Sequence, residues 1–278
     1  MNCIVKTIYY KYIIIYNNIY MVKILSLNCS LFPWIIEIFS CGEVMPKSSE
    51  RASSIATMIL NNPEYSVICL QEVWSYNSYK LIRDKLKYIY PNCTEFKRSC
   101  IKLGSGLMTL SKNIMTEEYS ENYIDFRGSE VFAHKGYLSV HVKNIGTIIN
   151  THLQAGNSWT DKYFCKDTIS TQEITQREVK QILEYVAGFD DDERVLIIGD
   201  FNVEYDPLTY GSEYSNLIPI LNNAKFYNST MNPVYNTTKQ NSIGVIDYSF
   251  GRNISLSTTT TKIFDNTYTD HIGVITTL

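Results

Sequence analysis

The chain predicts an α+β sandwich, two β-sheets packed together and flanked by helices, on three observations. Strand-length apolar runs and helical periodicities come in two rounds along the sequence. No repeat of fixed period, low-complexity linker or charge block divides it. Its 278 residues, 45% of them apolar and 19% charged, suffice for a packed core and are too apolar for a disordered chain. One compact domain over residues 21–278 is the expectation, because Met21 opens the first crisp strand pattern; residues 1–20 read as an N-terminal extension, a loose arm or a misassigned start.

Taken in order, Val22 to Asn28 is a mostly buried strand that stops on a polar residue. Ser48 to Asn61 places Ile55, Met58 and Ile59 on one face and runs into Asn62-Pro63, the pattern of a helix and its stop. Val67 to Val73 is a second apolar strand, with Gln71 and Glu72 near its end, and Tyr79 to Tyr88 is helical. Ser105–Ser111, Gly136–Val142 and Gly146–Leu153 follow as strands. Val179, Ile182, Leu183 and Val186 fall at i, i+3, i+4 and i+7, which makes Thr171 to Ala187 an amphipathic helix. Val195 to Gly199 is a strand bounded by Asp200, and Val245–Phe250 and Ile272–Thr277 complete the set.

Composition excludes some functions. Lys and Arg total 25 against 28 Asp and Glu, a formal charge of −3, so no broad cationic groove for nucleic acid is advertised. Seven scattered cysteines, none in a CxxC pair, argue against thiolate zinc and thioredoxin-like chemistry. They point to a reduced compartment, the cytoplasm or the periphery of a membrane. A Cys93–Cys100 pair and the sequons at Asn92 and Asn228 leave secretion open. No run approaches the roughly 18 apolar residues of a membrane-spanning helix.

The informative pattern is one repeated event: an apolar strand runs out and delivers a metal-type or acid/base residue. It yields Asn28, Glu72, His152, Asp200 with Asn202, Asp247, and Asp270-His271. In a sandwich, strand ends of both sheets converge at one edge, so these side chains can share a site. Hard oxygen donors with one or two imidazoles suit Mg²⁺, with Mn²⁺ as substitute, better than zinc. Such a set fits hydrolysis of a phosphate ester: a cation neutralises phosphoryl oxygens, a His activates water, an Asp fixes the His tautomer. Singly, each has a structural reading, Gly199-Asp200-Phe201-Asn202 as a turn among them; six together argue for a site.

Asn28, Cys69-Leu70-Gln71-Glu72-Val73, Asn150-Thr151-His152-Leu153-Gln154-Ala155, Gly199-Asp200-Phe201-Asn202, Ile246-Asp247-Tyr248 and Thr269-Asp270-His271 stand in the order found in the endonuclease/exonuclease/phosphatase superfamily, which the chain resembles from about residue 21 to 278. His134-Lys135-Gly136, the Thr-His-Leu-Gln-Ala stretch, Leu-Gln-Glu-Val-Trp and Glu50-Arg51-Ala52 are similar to neutral sphingomyelinases. The resemblance implies a DNase-I-like fold, a four-layer α/β/β/α sandwich of two mixed sheets. It implies that Glu72 binds the cation with Asn28 close by, and that Asp200 and Asn202 bind metal or phosphate and position water. His271 is the implied general base and metal neighbour with Asp270 beside it, and His152 contacts phosphoryl oxygens or the leaving group, held by Asp247. Lys135 orders a substrate-binding loop, with Glu130 as ion-pair partner or as one half of a solvated surface pair. Thr269 stands where the family commonly has Ser.

The implied reaction is hydrolysis of sphingomyelin to ceramide and phosphocholine at a membrane surface touched peripherally. Another phosphodiesterase or phosphatase of the same fold, and an inactive lipid- or protein-binding module, are the alternatives. The run Leu31 to Phe39, with Trp34, either dips into a bilayer or packs as core. Trp159, Tyr163 and Phe164 either rim the substrate or pack beneath a loop.

Overall fold

The structure, a computed structural model, describes residues 21–32, 47–97, 104–128, 130, 133–155, 169–205, 213–228, 245–261 and 268–278. Residues 1–20, 33–39, Trp159, Tyr163, Phe164 and Cys100, on which several sequence expectations fall, lie outside them.

The layers follow from the two-residue period of the strands. Along Lys23–Leu31 (β1), Leu25, Leu27, Cys29 and Leu31 pack with Ile55 and Ile59 of Ser48–Asn61 (α1) and with Ile82 and Leu86 of Tyr76–Leu86 (α2). Ile24, on the opposite face, joins Val67 and Cys69 of Val67–Val73 (β2) against the second sheet. That sheet contributes Val140 of Gly136–Val142 (β6), Ile148 of Gly146–His152 (β7), and Leu196 and Ile198 of Val195–Tyr205 (β8). Its outer face packs Ile149, Ile197 and Phe201 against Val179 and Ile182 of Thr171–Val186 (α3) and Leu217 and Leu221 of Glu213–Asn223 (α4). The result is the four-layer α/β/β/α sandwich expected.

The remaining strands are Asn92–Cys93 (β3), Met108–Ser111 (β4), Met115–Asn122 (β5), Tyr227–Asn228 (β9), Val245–Arg252 (β10), Ser257–Thr261 (β11) and Gly273–Thr277 (β12). The first sheet runs β11-β12-β1-β2-β4-β3 and the second β5-β6-β7-β8-β10-β9. In each, the third and fourth strands are parallel, β1 with β2 and β7 with β8, and the other neighbours are antiparallel. A parallel pair needs a long crossover, supplied by α1 in one sheet and α3 in the other. The two sheets therefore share a plan that leaves no fixed-period repeat in the sequence.

Between the sheets the seam changes character along its length. Near Ile24, Val67 and Ile148 it is apolar. Further along it becomes a hydrogen-bonded seam: Gln71 Nε2 donates to Ser26 Oγ (3.1 Å) and to Asn150 Oδ1 (2.7 Å). Asn150 Nδ2 donates to the Leu70 and Met108 carbonyls at 3.0 and 3.2 Å. Burial of such groups is tolerated only when they are paired, and the pairing here runs from sheet to sheet.

Several boundaries differ from the sequence expectation, each for a local reason. α2 begins at Tyr76 rather than Tyr79 because Ser75 caps it, accepting the Ser78 N–H at 3.1 Å. Ser170 caps α3 the same way through Glu173 N. β8 does not stop at Gly199: it continues through Asp200 to Tyr205, paired with β10. α4 was not expected, because Pro219 in its middle reads as a breaker; buried Leu217 and Leu221 hold it against the sheet. β5 escaped because it is a mostly exposed strand of polar residues with no buried face.

Candidate active site

The polar end of the seam is where the strand-end residues meet. Asn28 and Glu72 come from the central parallel pair of the first sheet, and His152 and Asp200, direct register partners, from that of the second. Asp247 on β10 stands opposite Asp200, and His271 lies two residues before the start of β12. Backbone conformation aims them. Ser30, Glu72 and Asn202 all have positive φ (52°, 58° and 50°), uncommon for residues with a Cβ and typical of strained functional positions. Ile68 and Leu70 face the helices, and simple alternation would send Glu72 after them. The left-handed turn breaks the alternation, and its carboxylate meets Asn28. Gly199 (φ 147°) lets β7 and β8 close here, since a Cβ would stand 2.0 Å from the Thr151 carbonyl oxygen.

Asn28 is the hinge of the cluster. Its Nδ2 donates to Glu72 Oε1 and to Asp200 Oδ2, each at 2.9 Å, and its Oδ1 accepts the Ser30 N–H at 3.0 Å. His152 Nε2 lies 3.5 Å from Asp200 Oδ2 and 3.8 Å from Glu72 Oε1. His271 Nδ1 bonds Asp247 Oδ2 at 2.9 Å, and its Nε2 lies 3.8 Å from Asp200 Oδ2. The Thr269 hydroxyl donates to the Asn28 carbonyl (2.6 Å) and accepts the His271 N–H (3.2 Å), so it ties the His271 segment to β1.

A second ring of bonds fixes the segment after His152. The Leu153 carbonyl accepts from both Lys135 Nζ (3.0 Å) and Asn202 Nδ2 (2.9 Å). Asn202 N donates to Asp200 Oδ1 at 2.9 Å. Lys135 also pairs with Glu130 at 2.9 Å, and both side chains are largely buried, so this is no solvated surface pair. From α3, the buried Glu178 carboxyl accepts the Gln154 N–H at 2.8 Å.

Burial and crowding perturb the acids and bases. Burial pushes Glu72 up to about 7, against the Asn28 hydrogen bond and the charges of Lys135 and His271. Burial, then the Lys135 and His271 charges, hold His152 well below the usual imidazole range. His271 is raised to about 10: burial opposes this, but Asp247, by charge and hydrogen bond, and then Asp200 and Asp270 outweigh it.

The residues fit a divalent cation. Oxygen and nitrogen atoms of Asp200, Asp247 and His271 all lie within 4.8 Å of one another. The buried Glu72 Oε2 has no hydrogen-bond partner among the described residues, and its carboxylate is driven toward neutrality. Three crowded carboxylates with an unmet oxygen are a hard-cation donor set.

All nine residues expected at the site lie in or around it, but one pairing is corrected. Asp247 holds His271, not His152, because β10 sets it beside the segment leading into β12. His152 turns instead to Glu72 and Asp200, and its Nδ1 has no hydrogen-bond partner among the described residues. Asp270 is half-buried next to His271 and acts on it through charge. Sequence reading missed Gln71 and Asn150 as inter-sheet ties and Glu178 as support; the first two sat inside the quoted motifs. Trp74, whose ring lies 6.3 Å from that of His152, was visible only as the end of Leu-Gln-Glu-Val-Trp.

Comparison with known proteins agrees with the fold. Residues 25–271 match the Endonuclease/Exonuclease/phosphatase family. Human sphingomyelin phosphodiesterase 2 is 26% identical over 201 residues, covering 67% of this chain and 42% of the relative, so the chain spans about four-tenths of the length of that curated protein. Sphingomyelinase C from Streptomyces griseocarneus superposes with a TM-score of 0.70 at 17% identity, over 92% of this chain and 99% of the other. A Staphylococcus aureus beta toxin variant with bound magnesium ions gives 0.69 at 17%, over 92% and 98%. With nearly its whole length matched and the strand-end residues gathered where two sheets meet, the chain belongs to the endonuclease/exonuclease/phosphatase family.

Proposed function

We propose that the protein is a Mg²⁺-dependent phosphodiesterase that hydrolyses sphingomyelin to ceramide and phosphocholine. The reading rests on one observation above others: donors from the ends of both sheets meet in a single buried cluster, in a chain whose curated relatives include sphingomyelin phosphodiesterase 2. Glu72 and Asp200, with Asn28, Asn202 and His271 adjoining, would hold the cation, Mg²⁺ or Mn²⁺. When bound, the cation neutralises charge on the phosphoryl oxygens.

The chain's own groups divide the proton work. His271, oriented through Nδ1 by Asp247, presents Nε2 to the cleft and takes a proton from the attacking water. It must first release the proton that Asp247, Asp200 and Asp270 hold on it. His152, kept neutral, offers Nε2–H as a hydrogen-bond donor to a phosphoryl or leaving-group oxygen, and the departing ceramide oxygen takes its proton from water. Asn202 and Lys135 keep the Leu153 peptide, and with it His152, in place. A lipid-facing rim is supported by exposed Ile124 and Phe126, whose segment is tied to Gln154 through the Arg127 N–H at 2.8 Å.

The test is phosphocholine release from sphingomyelin vesicles by the full chain, with Mg²⁺ and with EDTA. DNA and phosphoinositides serve as competing substrates, and Asp200→Ala and His271→Ala as controls. Metal-dependent release lost in both variants supports the proposal; turnover of DNA or phosphoinositide alone overturns the substrate.

A further inference from the structure

The two imidazoles of the cluster are held in different ways. His271 is held through its ring, by the Asp247 carboxylate on Nδ1. The buried Nδ1 of His152 has no hydrogen-bond partner among the described residues. Its ring is placed by the backbone that carries it, with the Trp74 ring alongside at 6.3 Å.

That backbone is anchored on both sides of His152. Before it, the Thr151 hydroxyl meets the Tyr123 hydroxyl. After it, the Leu153 N–H donates to the Asp200 carbonyl at 2.9 Å, and the Gln154 N–H donates to Glu178 Oε2 at 2.8 Å. The Gln154 side chain adds two bonds to Arg127, accepting its N–H at 2.8 Å and donating to its carbonyl at 3.3 Å.

Among these anchors, Glu178 is the one that packing does not call for. It stands in the buried stripe of α3 that also carries Ile174 and Ile182, and it is 2% exposed. An apolar side chain there would pack without the cost of burying a carboxyl. Burial drives the group toward its neutral form, against the Gln154 bond and the charge of Lys135. Lys135 already has Glu130 as its ion-pair partner, so neutralising Lys135 does not account for Glu178. What the carboxyl does is accept the Gln154 N–H.

We propose that Glu178 is a positioning residue for His152, fixing through the Gln154 peptide where Nε2 meets the phosphoryl group. The inference rests on the phosphodiesterase reading above.

The test compares the full chain with Glu178→Leu, Glu178→Gln and Glu178→Asp, on sphingomyelin vesicles with Mg²⁺ and by magnetic resonance of the His152 ring in EDTA. Glu178→Leu keeps the bulk and loses the acceptor. It is expected to lower kcat roughly 10- to 100-fold, with KM within about twofold and Mg²⁺ affinity unchanged. Glu178→Gln keeps an acceptor oxygen and is expected to hold kcat within about threefold of wild type. The His152 resonances should move in the first variant and return in the second. A merely structural role would lower the melting temperature of Glu178→Leu yet leave kcat per folded molecule and the His152 resonances unchanged, and that result overturns the proposal. Mg²⁺ affinity falling in step with kcat overturns it too. Should Glu178→Leu fail to fold, Glu178→Asp decides, because it draws the carboxyl back from Gln154 by one methylene. Wild-type kcat and an equally slow hydrogen exchange of the Gln154 amide in that variant overturn the inference, as does an amide that exchanges at an open-loop rate in wild type. Wild type that hydrolyses no sphingomyelin overturns the reaction instead, and the His152 resonances then decide the positioning on their own.

Discussion

Asp247 accepts a hydrogen bond from Nδ1 of His271 at 2.9 Å, and the opposite ring nitrogen faces Asp200 at 3.8 Å. The pair joins the second sheet to the residue that leads into the last strand of the first. Asp247 thus fixes both the tautomer of His271 and the protonation state from which it must start.

Replacing Asp247 with Asn keeps the shape and removes the charge. His271, raised to about 10, should fall toward the ordinary imidazole value of 6.5. Because its folded pKa is raised, its contribution to stability is full below about 6.5 and is lost as pH climbs toward 10. In EDTA, unfolding free energy should therefore decline over that interval in wild type, and the decline should flatten in Asp247→Asn. A nuclear magnetic resonance titration of His271 and chemical unfolding at several pH values check both. Turnover by the variant should drop on the order of 10²–10³-fold.

Cation binding should release protons. Glu72, near 7, and His271, near 10, both give up protons more readily beside a positive ion. Mg²⁺ affinity should rise between pH 6 and 9, and calorimetry in buffers of different ionisation enthalpy should register net proton release. A pH-independent affinity would contradict the assignment of these two groups to the cation site.

Glu72→Gln should stabilise the cation-free protein while removing its response to Mg²⁺. A carboxylate with a raised folded pKa weakens the fold as pH rises from about 4.5 through 7. Neutralising it at pH 8 should recover about 2 kcal/mol in EDTA. Thermal melts with and without Mg²⁺ test the prediction: wild type should gain stability on adding the ion, and the variant should not.

The inter-sheet tie is testable away from the cluster. Asn150→Leu removes the acceptor of Gln71 Nε2 and the donor to the Leu70 and Met108 carbonyls. It should cost about 3 kcal/mol by leaving buried partners unmet. Urea unfolding measures the loss, and Mg²⁺ affinity should fall alongside it.

Much of this architecture was legible in the chain. The apolar runs and the helical spacing of Val179, Ile182 and Val186 placed the central strands and α3 almost to the residue, because burial on both faces writes a strong pattern. What escaped was structure held by context. Pro219 sits in a helix that only packing sustains, and β11 and β5 are flanking strands whose residues carry little apolar signal. At the site, the strand-end residues themselves were legible one by one. The partnership of Asp247 with His271 was not, since it depends on which strand lies next to which, a relation no local sequence expresses.

The order of strands also governs when the site can exist during synthesis. β12 inserts between β11 and β1, and Thr269 bonds the Asn28 carbonyl across 241 positions of chain. Until that last strand has emerged and docked, Asn28 and Glu72 lack their His271 neighbour, and the acidic cluster is a pocket open on one side. Closure is a long-range contact, of the kind that forms late and slowly. A chain that has not yet added β12 therefore lacks the complete strand-end cluster, and cation capture becomes a signal that the first sheet has closed.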